Sequence, residues 1–232
     1  MKQTLVLLPG MMCDRRLFAP QIDTLKNDYQ IIIPDIPNAS SMSDMAKQIL
    51  AKLPESFALA GLSMGGILAM EIVRQAPQKV AKLALLDTNP RSELLDVQTN
   101  RDRQISLVRA GGLMDVMSQE MIPRYLSTTS DPINDLCQEM AKSLGNEAFI
   151  NQSRALQSRL DQCDTLASFT APSLVLMGKH DELCPLDRHL LMAKLLVNSQ
   201  LCIIDNAGHL PCLEQPEQTN AALKQWLEQQ EN

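Results

Sequence analysis

Gly61-Leu62-Ser63-Met64-Gly65, followed by Gly66, sets one serine among small residues at a spacing that lets the chain turn sharply. Between an apolar strand and a helix, such a turn lifts the hydroxyl into the open and aims the first helical N–H groups at charge forming beside it. A hydroxyl at neutral pH is a weak nucleophile until a base takes its proton. Of the three histidines, His209 is the candidate base, because it follows the apolar run Leu201 to Ile204 across the short loop Asp205-Asn206-Ala207-Gly208. The plainer reading is a loop histidine bonded to local backbone. His189 falls inside a helix predicted to open at Pro185, and His180 directly precedes Asp181. A buried carboxylate must then fix the imidazole tautomer. Asp181 fits, just after the run Leu174 to Met177; Glu182 is its near competitor and Asp87 its distant one, and a helix-capping surface role is its structural alternative.

These residues need a frame. Six short apolar runs read as strands buried on both faces: Leu5 to Leu8, Gln30 to Ile33, Phe57 to Ala60, Leu83 to Leu86, Leu174 to Met177, and Leu201 to Ile204. Helical patterns separate most of them: Leu17, Ile22 and Leu25; Met42, Met45, Ile49 and Leu53; Met64 to Gln75; the Leu190 to Leu196 stretch; and a last helix entered at Pro216. Alternation of this kind predicts an α/β fold, a mostly parallel sheet of about six strands covered by helices on both faces. Residues 91–169 break it with helical stretches alone, at Leu94 to Val108, Leu113 to Leu126, Ile133 to Leu144 and Glu147 to Leu160. The expected organisation is a core of residues 1–90 and 170–232, with 91–169 inserted before the last two strands as a helical cap over the carboxyl edge.

Composition narrows the function. The chain of 232 residues carries 21 Lys and Arg against 27 Asp and Glu, a net charge of −6, with only 3% aromatic residues. That balance argues against nucleic acid and anionic membrane as partners. The first ten residues hold too short an apolar run for a signal-peptide core, so a cytoplasmic location is expected. The six cysteines contain no C-x-x-C pair and no histidine at zinc-finger spacing, which points to reduced, mostly buried thiols and to no metal or redox cofactor.

With the chain order Ser63, Asp181, His209, the sequence resembles the α/β-hydrolase superfamily, in its group of small cap-bearing enzymes. The resemblance rests on Leu7-Leu8-Pro9-Gly10-Met11, Gly61 to Gly66, Gly178 to Pro185 and Gly208-His209. It implies that the backbone amides of Met11 and Met64 form an oxyanion hole, although Pro9 stands where the family usually has His. The family's first two strands have no counterpart here, and the loop Asp35 to Ser40 lacks its common glycines. Met12, Met114, Met117, Leu183 and Leu210 are the candidate pocket residues, though Met114, Met117 and Met121 at helical spacing also read as core. Arg15, Arg16, Arg124 and Arg154 are candidates to meet a substrate carboxylate, with plain solvation as the alternative. Gly111-Gly112 offers a hinge for the cap. The implied activity is cofactor-free hydrolysis of a small ester or thioester through an acyl-enzyme on Ser63, by a monomer or homodimer. Carbon–carbon bond hydrolysis, lyase or perhydrolase chemistry would share the same residues, and a hydrolase-like receptor is the non-enzyme alternative.

Overall fold

The computed structural model describes residues 2–229. Six strands, β1 (Thr4–Leu8), β2 (Gln30–Ile32), β3 (Phe57–Leu62), β4 (Val80–Leu86), β5 (Ser173–Gly178) and β6 (Ser199–Ile204), form one sheet in the order β2-β1-β3-β4-β5-β6. Every neighbouring pair is parallel. The sheet is therefore wholly parallel, and its order reverses between β1 and β3. In open parallel sheets that reversal opens a crevice beyond the carboxyl ends of the strands.

The helices are α1 (Ala19–Leu25), α2 (Met42–Leu50), α3 (Met64–Gln75), α4 (Leu95–Arg109), α5 (Leu113–Val116), α6 (Asp131–Gln157), α7 (Cys163–Ser168), α8 (Leu186–Leu195), α9 (Pro211–Glu214) and α10 (Pro216–Glu228). One layer holds α1, α9 and α10; the other holds α2, α3, α7 and α8, with α3 and α8 against the strands. β3 and nearly all of α3 are buried, because they run through the middle of the sandwich. The edge strands β2 and β6 depart from the expectation of two buried faces. Both are partly exposed, and Ile203 is 43% accessible, since an edge strand has a neighbour on one side only.

Between β4 and β5 lie α4 to α7. Helices α4, α5 and α6 pack on one another, whereas α7 packs against α3 and α8 in the body. The two helices expected over Ile133 to Leu144 and Glu147 to Leu160 are joined as α6 but broken at Gly145, whose φ of 79° and ψ of −179° no helix accommodates. A side chain there would be strained by that φ alone. The helix expected from Leu113 to Leu126 is shorter. After α5 the chain widens over Met117–Met121 and then tightens over Ile122–Arg124, where Pro123 has no amide to continue the ladder. No helix among the described residues is long and apolar enough to cross a membrane.

Candidate active site

Among the described residues, the four non-glycine positions with positive φ are Met12, Ser63, Asp87 and Asn206. They follow or end β1, β3, β4 and β6, so the strained backbone of the molecule is gathered at one sheet edge. Such conformations cost about 1–3 kcal/mol each and persist where the surroundings enforce them. Ser63, at φ 55° and ψ −117°, stands between the end of β3 and the start of α3. Its amide donates to Leu86 O at 2.9 Å, and its carbonyl accepts from the Thr88 hydroxyl at 2.7 Å and from the amides of Gly66 and Ile67. The turn also requires close backbone approach. A Cβ at Gly61 would sit 2.2 Å from Gly65 O, and one at Gly65 would sit 2.0 Å from Leu8 O.

The structure brings three of the sequence-predicted residues into one chain of hydrogen bonds. His209 Nε2 lies 2.9 Å from Ser63 Oγ, and His209 Nδ1 lies 2.9 Å from Asp181 Oδ2. The other Asp181 oxygen accepts from the amides of Leu183 at 2.8 Å and Cys184 at 3.1 Å. Burial pushes the Asp181 carboxyl up, but His209 beside it and these two amides outweigh burial and hold it below the ordinary carboxylate value. An ionised Asp181 is the acceptor that keeps a proton on Nδ1 and leaves Nε2 free to take one from Ser63. Glu182 is exposed, and neither it nor Asp87 bonds to His209.

His189 is a buried structural histidine. The Thr88 amide donates to its Nε2 at 3.3 Å, so its Nδ1 donates to Pro185 O at 3.3 Å. Burial lowers its pKa to about 4, keeping it neutral. The potential metal ligands Asp181, Cys184 and His209 lie within 4.8 Å of one another. Two of them are already paired, and burial, then the charges of Asp181 and Asp87, push the Cys184 thiol up and away from the thiolate.

Met11 and Met64 line the cavity over Ser63. Neither amide has a hydrogen-bond acceptor among the described residues. Unpaired amides in buried segments are uncommon, and both belong to residues that line the cavity with Ser63. The loop that carries Met11 has Pro9 where the resembled family usually has His, and it is held from α6 instead. Gln152 on α6, nearly fully buried, accepts from the Met12 amide at 2.9 Å. The cap also grips the His209 loop. Tyr125 O accepts from the His209 amide at 2.7 Å, while Glu214 accepts from the Gly208 amide, the Ser127 amide and the Ser127 hydroxyl. Gln152, Tyr125, Ser127 and Glu214 escaped the sequence reading, since no local spacing distinguishes them from ordinary cap or loop positions.

The cavity measures about 320 Å³. Leu183 and Leu210 line it, but the expectation for Met12, Met114 and Met117 is corrected: none of the three does. Met12 and Met117 are each 1% exposed within the core, and Met114 packs partly buried against it, because flexible thioethers fill the gap between cap and sheet. Met121 reaches the cavity. Arg124 lines it as well, while Arg16 is spent on Asp14, and Arg15 and Arg154 lie elsewhere.

A family model described as "Alpha/beta hydrolase family" matches residues 5–222. The chain is 27% identical to a pimeloyl-[acyl-carrier protein] methyl ester esterase of Legionella pneumophila (strain Paris), over 90% of this chain and 88% of that protein. Among solved structures it is similar to an esterase from Thermogutta terrifontis with malate bound, at a TM-score of 0.92 and 29% identity, covering 98% of this chain and 90% of that one. The enol-lactonase from Burkholderia xenovorans LB400 has a TM-score of 0.87 at 17% identity, covering 99% of this chain and 92% of that one, and shares the fold alone.

Proposed function

The chain belongs to the alpha/beta hydrolase family, and from that premise we propose that it is a serine hydrolase of small carboxylic esters or thioesters that works through an acyl-enzyme. Ser63 attacks the carbonyl carbon as His209 Nε2 accepts its proton. Asp181 holds the imidazole and stabilises the imidazolium, and the amides of Met11 and Met64 donate to the tetrahedral oxyanion. His209 then gives the proton to the leaving alcohol or thiol, and water, activated by the same ring, releases the acid. The observation that carries this reading is the unbroken Ser63–His209–Asp181 chain beside two unpartnered amides. The esterases among its relatives support the same bond type.

The test is covalent. A fluorophosphonate probe should label the wild-type protein on the peptide containing Ser63 and leave Ser63→Ala unlabelled. Turnover of a short-chain p-nitrophenyl ester should fall at least about a thousandfold in that variant, in line with the loss of a triad member. Multiple turnovers by Ser63→Ala, or labelling elsewhere, would overturn the mechanism; a single slow turnover by the wild type would instead indicate a receptor.

A further inference from the structure

The wall of the cavity over Ser63 is charged in a direction the whole chain is not. The protein is acidic at −6, yet four arginines, Arg101, Arg124, Arg159 and Arg188, line this cavity against two glutamates, Glu93 and Glu120. The glutamates do not balance them. Glu120 is drawn off by Arg103, which lies outside the lining, and by Gln104 at 3.0 Å. Glu93 is clamped between two guanidinium groups, accepting from Arg101 Nε at 2.7 Å and from Arg159 Nη1 at 2.5 Å. This cluster of two arginines and one glutamate leaves an uncompensated positive charge, and it is buried: the side chains of Glu93, Arg159 and Arg101 are 2%, 8% and 16% exposed.

A buried net charge is costly unless something pairs with it. Burial draws the Arg159 guanidinium below its usual value, outweighing Glu93 beside it, and Arg101 adds to the lowering. Arg101 also keeps a nitrogen in reserve. Its Nη1 meets only the Met11 sulfur at 3.5 Å, a weak acceptor, and Met11 is the residue whose amide donates to the oxyanion in the proposed mechanism. At the rim, Arg124 has no ion pair among the described residues, and Arg188 has only its sequence neighbour Asp187 at 3.6 Å.

We infer that the cavity selects esters carrying a second, free carboxylate, which Arg101 and Arg159 receive with Arg124 and Arg188 steering it in. Arg101 spends Nε and Nη2 on Glu93, and Arg159 spends Nη1 on Glu93 and Nε on the Arg91 carbonyl, so Arg101 Nη1 and Arg159 Nη2 are the charge-assisted donors left, one for each oxygen of a carboxylate. The substrate class is then the half-ester or half-thioester of a small dicarboxylic acid, which rests on the ester-hydrolase reading above.

Ethanol release from monoethyl adipate and from ethyl hexanoate compares two esters of equal length that differ in the carboxylate. The expected result is a kcat/KM at least about tenfold higher for the half-ester, mainly through KM, narrowing as salt rises. Arg101→Gln and the rim double variant Arg124→Gln, Arg188→Gln should each lower the ratio between the two substrates severalfold. With the wild-type protein alone, glutarate should inhibit ethyl hexanoate hydrolysis and glutaramide should not, a readout independent of whether Arg101→Gln folds. Equal efficiency on the two esters, an unchanged ratio in all arginine variants, or inhibition by inorganic phosphate as strong as by glutarate would overturn the inference while leaving the esterase reading standing. Hydrolysis of neither ester, with no fluorophosphonate labelling, would overturn both.

Discussion

Asp87, directly after β4, is fully buried, with one carboxyl oxygen accepting from the Gly178 amide at 2.8 Å and the other meeting no donor. Burial first, then the charge of Asp181, hold its carboxyl well above the ordinary value, so Asp87 stays protonated where Asp181 is ionised. An acid raised in the folded state keeps a proton that the unfolded chain has released. Its support for folding is therefore full at low pH and is lost as pH climbs past the ordinary carboxylate value. Asp87→Asn keeps an acceptor for Gly178 and offers a donor toward Asp181 without a titrating proton. Calorimetry should find its thermal midpoint above wild type at pH 8, with the gap closing toward pH 4. A variant less stable at pH 8 would mean that Asp87 is ionised in the fold.

Elements set how well these side chains are aimed. β1 and β3 straddle the reversal of strand order, which brings the Met11 loop beside Ser63. That loop is fixed at Met12 by Gln152 of α6, so the geometry of the Met11 amide depends on a helix 140 residues further along the chain. Gln152→Ala should lower kcat about tenfold with little change in KM, because a misaimed oxyanion donor weakens the transition state more than the ground state. A rise in KM at unchanged kcat would assign Gln152 to substrate contact instead. The same helix bends at Gly145, and the cap is tied to the His209 loop through Tyr125 and Glu214. A hinge at Gly111, whose φ is 95°, would have to work against these ties.

For the molecule as a whole, acid sensitivity has a located source. His189, on α8, sits fully buried against Thr88 just past β4 with its pKa lowered to about 4, whereas an unfolded histidine titrates near 6.5. Between those values the unfolded chain binds a proton that the folded one refuses, so stability present above about pH 6.5 is lost as pH falls toward 4. One buried histidine accounts for roughly 3 kcal/mol over that window. Urea unfolding at pH 7 and pH 4.5 should show this loss, and His189→Gln should remove most of it. An unchanged slope would place the acid sensitivity on other groups.

How much of this was legible follows from range. The Gly61 to Gly66 turn, the strand runs and the order of Ser63, Asp181 and His209 are written locally: strand periodicity, glycine spacing and loop position are enforced by backbone sterics within a few residues. The edge exposure of β6, the choice between core and cavity for Met12, Met114 and Met117, and the supports from Gln152, Tyr125 and Glu214 were not. Each depends on which distant surface a side chain meets, and one helical pattern serves core and cavity alike. The sequence by itself determined the alternating fold and the residues that could react. Only the tertiary structure decided that a buried Arg101–Glu93–Arg159 cluster would face the same cavity, because electrostatic balance is a property of what lies close in space, and these three residues stand apart along the chain.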